Sequence, residues 1–228
     1  MITKFIGHRG AKGEAPENTL KGINFALEQS ISGVEIDVHL SKDGKLMVIH
    51  DSTVDRTTNG SGNIIGKTYN ELKKLDAGEG EQIPTLEEVM DLVKSFNADI
   101  FIELKAPDCE KEVINLIRKK DYVNHSIVKS FNHRWVKNTK ALDSTIKAQC
   151  LMYALPINPI AIIKACNADG ISLSTIHLDE ELIIQCHQEN FLVTTWNANN
   201  HRALKKFKEM GVDYVCTDFA SLIPSMPL

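Results

Sequence analysis

Short extended segments alternate with helical segments of about ten residues along nearly the whole chain. Apolar or alternating runs stand at 5–7, 34–40, 46–49, 100–104, 126–130, 148–152, 170–173, 192–196 and 214–216. Stretches with helical spacing fall between most of them, at 18–29, 110–119, 134–142, 157–166, 180–189 and 201–210. In the first of these, Leu20, Ile23, Phe25, Ala26 and Leu27 carry the spacing. Such alternation predicts β/α units on a mostly parallel sheet. The nine extended segments are one more than a closed β/α barrel needs. The surplus has a natural place. Residues 38–45 alone separate Asp37 from the run at Leu46, with Lys42-Asp43-Gly44 as a turn. A parallel crossover needs a dozen residues or more, so a hairpin or irregular return is expected there. The segment 52–84, rich in Gly, Thr, Asn and Asp, breaks the rhythm. Its length predicts a functional loop or small insertion. No repeat or linker divides the chain, so residues 1–228 read as one domain.

Composition narrows the function classes. With 26 basic and 30 acidic residues the formal charge is -4, so no bulk positive field exists to hold nucleic acid. No apolar run approaches the roughly 20 residues that span a bilayer. The first residues carry no apolar leader, and the five cysteines include no C-x-x-C. These features predict reduced, mostly buried thiols in a cytoplasmic protein without a membrane anchor. Nothing in the pattern specifies an oligomeric state.

Charges interrupt the strands in a consistent way. His8 and Arg9 end the first, and His50 with Asp51 end the third. Glu35 and Asp37 lie two apart in the second, so they share a face. Glu103 and Lys105 lie two apart at the end of the fourth. In a β/α barrel the C-terminal strand ends build the active site. These groups are therefore expected at one mouth, and Trp196 is the comparable residue of the second half. Glu35, Asp37 and Glu103 form a hard, all-oxygen ligand set, suited to one divalent cation, Mg or Ca. His8 and His50 have the chemistry of an acid/base pair. Arg9 and Lys105 suit a phosphoryl group. Together these are the parts that cleave a phosphate ester.

A lone strand-end histidine is more often satisfied by backbone than catalytic. Glu35 and Asp37 alone would pass for the solvated face of an edge strand, and Glu103 with Lys105 for an ion pair. Glu17 is expected to orient Arg9, and Arg56 to pin the insertion. Asp51 and Asp218 read as helix caps or orienting groups and stay outside the candidate set. His39, His125, His133, His177, His187 and His201 lack suitable charged company.

The motifs resemble one family in register. His8-Arg9-Gly10, Ala15-Pro16-Glu17-Asn18-Thr19, Glu35-Ile36-Asp37-Val38, Leu40-Ser41-Lys42-Asp43-Gly44 and His50-Asp51 resemble the opening of the glycerophosphodiester phosphodiesterases. Asp55-Arg56-Thr57-Thr58-Asn59-Gly60, Ile102-Glu103-Leu104-Lys105, Ser130-Phe131-Asn132 and Thr217-Asp218 continue the likeness. The resemblance implies a TIM-type (β/α)8 barrel with a small insertion after the third strand. It implies that Glu35, Asp37 and Glu103 hold the cation, that His8 and His50 are the acid/base pair, and that Arg9 and Lys105 bind phosphate. Trp196 would line the glycerol pocket, with Asn197 and Ala198 in place of the commoner Thr-Val. The implied activity is metal-dependent hydrolysis of glycerophosphodiesters to sn-glycerol 3-phosphate and an alcohol. The alternatives are a lysophospholipase D-like activity and a non-catalytic ligand-binding barrel.

Overall fold

The computed structural model describes residues 2–225. In chain order the elements are β1 (Lys4–His8), α1 (Leu20–Glu28), β2 (Gly33–Leu40), β3 (Leu46–Val48), α2 (Tyr69–Leu72) and α3 (Leu86–Ser95). There follow β4 (Asp99–Leu104), α4 (Glu110–Lys119), β5 (Ser126–Ser130), α5 (His133–Leu142), β6 (Lys147–Met152) and α6 (Pro159–Ala165). The last are β7 (Gly170–Ser174), α7 (Glu180–Gln188), β8 (Leu192–Trp196), α8 (His201–Glu209) and β9 (Tyr214–Thr217). β1, β2 and β4 to β9 pair in parallel, and β1 bonds to both β2 and β9, which closes the barrel. This is the TIM-type barrel that the family resemblance implied, built from the β/α units that the alternation predicted.

β3 is the surplus strand. It runs antiparallel to β2, with Val38 opposite Val48 and Leu40 opposite Leu46. The return over 38–45 is thus a hairpin, and β3 is not a barrel stave. The segment 52–84 lies between the second and third staves and contains α2 and a 3-10 turn at Ile64–Gly66. It packs its own small core of Val54, Ile64, Leu72 and Ile83 against Met47 and Ile49. Helix α3, which follows this segment and was not among the helical stretches read from the sequence, begins at a capping box between Thr85 and Glu88.

Period-two alternation sorts the strand residues. Val34, Ile36 and Val38 of β2, and Ile100, Ile102 and Leu104 of β4, pack outward against the helices. Ile6, Phe101, Ile127, Tyr214 and Cys216 face inward and plug the barrel. Glu35, Asp37 and Glu103 also face inward, nearer the C-terminal ends. The plug carries its share of stability. Phe101 is wholly buried and meets Tyr214 edge-on, with ring centroids 4.8 Å apart. Phe101→Ala is expected to lower unfolding free energy by about 3–5 kcal/mol, measured by urea denaturation. A loss below about 1 kcal/mol would contradict the packing described.

Candidate active site

His8 ends β1, and the chain then turns sharply. Arg9 and Gly10 have φ of 50° and 83°. A Cβ on Gly10 would lie 2.7 Å from the Gly22 backbone, so glycine is required there. Arg9 sits in the left-handed region that few non-glycine residues adopt. Its own N–H donates to Glu35 Oε2 at 3.2 Å, which helps hold that conformation. Asn18, at φ 56°, is the second such residue. Its side-chain amide donates to Asp37 Oδ2 at 2.9 Å. Two backbone positions outside the ordinary regions thus serve the same pair of carboxylates.

Glu35, Asp37 and Glu103 are buried and each offers an oxygen within 4.8 Å of the others. Oxygens sharing one ion at roughly 2.1–2.4 Å can be no farther apart than about 4.8 Å. The donor set therefore fits a divalent cation. Three lysine and arginine side chains face these carboxylates. Arg9 Nε lies 3.3 Å from Asp37 Oδ2, and Lys105 Nζ donates to Glu103 Oε1 at 2.9 Å. Lys129 Nζ lies 3.2 Å from Glu35 Oε1.

Glu35 and Glu103 differ in how readily they hold a charge. Burial would push Glu35 up, but Lys129, with His8 and Arg9, overcomes this and holds it at about 2. Glu103 is pushed up to about 7 by burial and by the neighbouring Asp37 carboxylate. The Lys129 ammonium is pulled down by burial, yet Glu35 raises it above the ordinary lysine value.

Each candidate histidine has an aspartate partner. His8 Nδ1 is 2.5 Å from Asp218 Oδ1, and His50 Nδ1 is 2.6 Å from Asp51 Oδ1. A carboxylate on Nδ1 fixes the ring and leaves Nε2 free to face the cavity. His50 Nε2 is 3.0 Å from Lys105 Nζ, and His8 Nε2 is 3.9 Å from Glu35 Oε2. Asn197 and Asn199 donate to Asp218 at 3.0 and 2.6 Å and fix it in turn. Arg56 binds Asp51 and Glu17 together, at 2.7 Å to each, and Arg9 donates to Glu17 at 2.7 Å. Glu17 thus orients Arg9, and Arg56 ties the insertion to the mouth.

His8, Arg9, Glu35, His50, Glu103, Lys105 and Trp196 line one cavity of about 350 Å³ at the C-terminal end of the barrel. Asp37 lies beside it, held by Asn18 and Arg9. Every candidate from the sequence is therefore gathered at one mouth. His50 arrives by the hairpin return expected after Asp37, not at the end of a barrel stave. β3 runs back toward the barrel, and the Ile49 N–H donates to the Asp37 carbonyl. Lys129, Asp51, Asp218 and Asn18 were missed as site residues. Trp196 Nε1 is buried without a protein partner, and the ring stands edge-on to Phe131 at 5.9 Å.

The arginine and histidine pairings predict a fold that loses stability in acid. Glu17 is buried, which would raise its pKa, but Arg56 and Arg9 hold it at about 2. Asp51 and Asp218 are also lowered, by Arg56 foremost for the first, and for the second by His8 against the opposing effect of burial. A depressed carboxylate stabilises the fold above its ordinary pKa and ceases to as pH falls through its folded one. The melting temperature is expected to drop steadily between about pH 5 and pH 2. A flat profile across that window, read by circular dichroism, would contradict these pairings.

The sequence matches the glycerophosphoryl diester phosphodiesterase family over residues 8–222. It is 34% identical over 230 residues to a glycerophosphodiester phosphodiesterase of Caldanaerobacter subterraneus subsp. tengcongensis, covering 96% of this chain and 95% of that one. A phosphodiesterase of Oleispira antarctica, solved with the product sn-glycerol-3-phosphate, superposes with a TM-score of 0.89 at 29% identity, covering 98% of this chain and 96% of that one. A glycerophosphodiester phosphodiesterase of Agrobacterium tumefaciens gives 0.88 at 28% identity, covering 99% and 100%. By fold, by site geometry and by these matches, the chain belongs to the glycerophosphoryl diester phosphodiesterase family.

Proposed function

We propose that this protein hydrolyses glycerophosphodiesters to sn-glycerol 3-phosphate and an alcohol such as choline or ethanolamine. The observation that carries the reading is the meeting of two aspartate-held histidines with a buried three-carboxylate cluster around one cavity. Glu35, Asp37 and Glu103 hold one divalent cation, Mg or Ca. A cation there supplies Lewis-acid stabilisation of charge growing on the phosphoryl oxygens. Arg9 and Lys105 orient the phosphodiester, Arg9 with a guanidinium already fixed by Glu17. One histidine takes a proton at Nε2 from the attacking hydroxyl. The other delivers a proton from Nε2 to the leaving alkoxide. The attacking hydroxyl belongs to the neighbouring glycerol carbon, giving a cyclic phosphate that water then opens, or to water itself. Trp196 and Phe131 form an apolar wall for the glycerol part. Residues 1–228 act as a single domain, and five unpaired, buried thiols suit a reducing cytoplasm.

A lysophospholipid is the second reading, and one observation favours it. Phe131, Tyr153, Leu155, Ile157 and Ile176 are exposed on loops that follow β5, β6 and β7, at the barrel end that holds the cavity. Such a rim offers contact to an acyl chain. Among the described residues no helix is long and apolar enough to cross a membrane. Choline release from glycerophosphocholine and from micellar lysophosphatidylcholine, measured side by side, separates the two. Faster turnover of the deacylated diester is expected. Faster turnover of the lysolipid would reverse the ranking.

A further inference from the structure

Lys129 stands where a barrel of this kind has no packing need for a charge. It follows Ile127 on the inward face of β5, directly above the apolar plug of Ile6, Phe101 and Ile127. Its side chain is 3% exposed, and its register partner on β4 is Glu103. An ammonium withdrawn from water this far needs a paired charge. The pair is Glu35 Oε1 at 3.2 Å.

The two oxygens of Glu35 are divided in use. Oε1 faces Lys129, while Oε2 accepts from the Arg9 N–H and lies 3.9 Å from His8 Nε2. Lys129, which also lines the cavity, therefore fixes the carboxylate through one oxygen while the Arg9 N–H fixes it through the other. It also supplies the third positive charge. With Arg9 and Lys105 it balances Glu35, Asp37 and Glu103 one for one.

We propose that Lys129 is a positioning residue for the cation site, a fixed internal countercharge that aims Glu35 and holds down the site's affinity for a divalent ion. The inference rests on the metal reading given above. A carboxylate cluster without Lys129 would carry an uncompensated negative charge and would bind a divalent ion tightly. With Lys129 in place the empty site is close to neutral, and the loaded site keeps a surplus of positive charge. That surplus acts on the phosphodiester anion, and more strongly on the dianionic transition state. Moderate ion affinity and a strongly cationic loaded site are thus two results of one lysine.

Lys129→Met keeps the stem and removes the charge. Mg²⁺ and Ca²⁺ are titrated calorimetrically into wild type and variant, and both are melted with and without each ion. The variant is expected to bind at least about tenfold more tightly, because a like charge a few ångströms from the ion is gone. Without ion it should melt lower than wild type, and ion should raise its melting temperature by more. If the variant does not fold without ion, millimolar Ca²⁺ or Mg²⁺ is expected to restore the native circular dichroism. Unchanged or weaker ion affinity in a folded variant would overturn the inference, as would failure of both ions to rescue an unfolded one. A wild-type protein that binds neither ion would instead remove the metal reading, and this inference with it.

Discussion

His8→Ala and His50→Ala should each lower kcat by about 10²–10⁴-fold while leaving KM within a few-fold of wild type. The expectation follows from where the ring nitrogens are held. Asp218 and Asp51 each take an Nδ1, so each Nε2 is committed to the cavity. Neither ring packs in the apolar core, so truncation should leave the fold intact. The two effects should not multiply, because removing one proton carrier already disables the cycle the other belongs to. The double variant should therefore be little slower than the worse single one. Steady-state assays at saturating divalent ion, with circular dichroism as a folding control, make the measurement. Near-native turnover in both folded single variants would contradict acid/base catalysis by this pair.

The second large effect concerns Glu103 and has two sides. Glu103 holds its charge at a cost in the ion-free fold, since burial and Asp37 push it up to about 7. Glu103→Gln replaces it with a neutral group of the same shape. Ion-free melting should therefore stay level or rise. Ion binding should be lost in the millimolar range, and kcat/KM should fall by about 10³-fold or more. Stability and activity are thus expected to move in opposite directions from one substitution. Calorimetry, melting and rate assays on the same preparation test all three. A Glu103→Gln protein that bound Mg²⁺ or Ca²⁺ as wild type does would show that Glu103 is no ligand.

What could be read from the sequence was local. Glu35 and Asp37 share a face because strand alternation has period two, and Val34, Ile36 and Val38 mark the opposite face as buried. Glu103 and Lys105 were legible in the same way at the end of β4. The return before Leu46 was legible because eight residues cannot carry a helix across the sheet. His50 was placed at the mouth for the wrong reason. It gets there because β3 doubles back along β2, not because β3 is a stave.

Two of the missed residues, Asp218 and Lys129, depend on how the strands assemble into the barrel. His8 meets Asp218 across a sequence separation of 210 residues. Lys129 meets Glu35 only because β5 and β2 flank β4 and both side chains turn into the barrel. In the sequence Lys129 stands between Val128 and Ser130 with no acid nearby, so it reads as a strand-end surface charge. Its alternation with Ile127 was the available signal. Asp51 had a nearer one, its position next to His50, but a residue after a strand caps helices as readily as it orients a ring. Asn18 offered none beyond its place in the Pro-Glu-Asn-Thr motif, since its role rests on a left-handed backbone.

The most direct test of the central claim is phosphorus NMR of the purified protein with glycerophosphocholine, glycerophosphoethanolamine and a simple bis-ester phosphate. The reaction is followed with Mg²⁺, with Ca²⁺ and with chelator. Appearance of sn-glycerol 3-phosphate that depends on the divalent ion is the expected result, with the glycerol diesters consumed ahead of the simple ester. A transient cyclic phosphate signal would identify the glycerol hydroxyl as the nucleophile. Undiminished turnover in chelator, or no turnover of the glycerol diesters with either ion, would contradict the proposed chemistry.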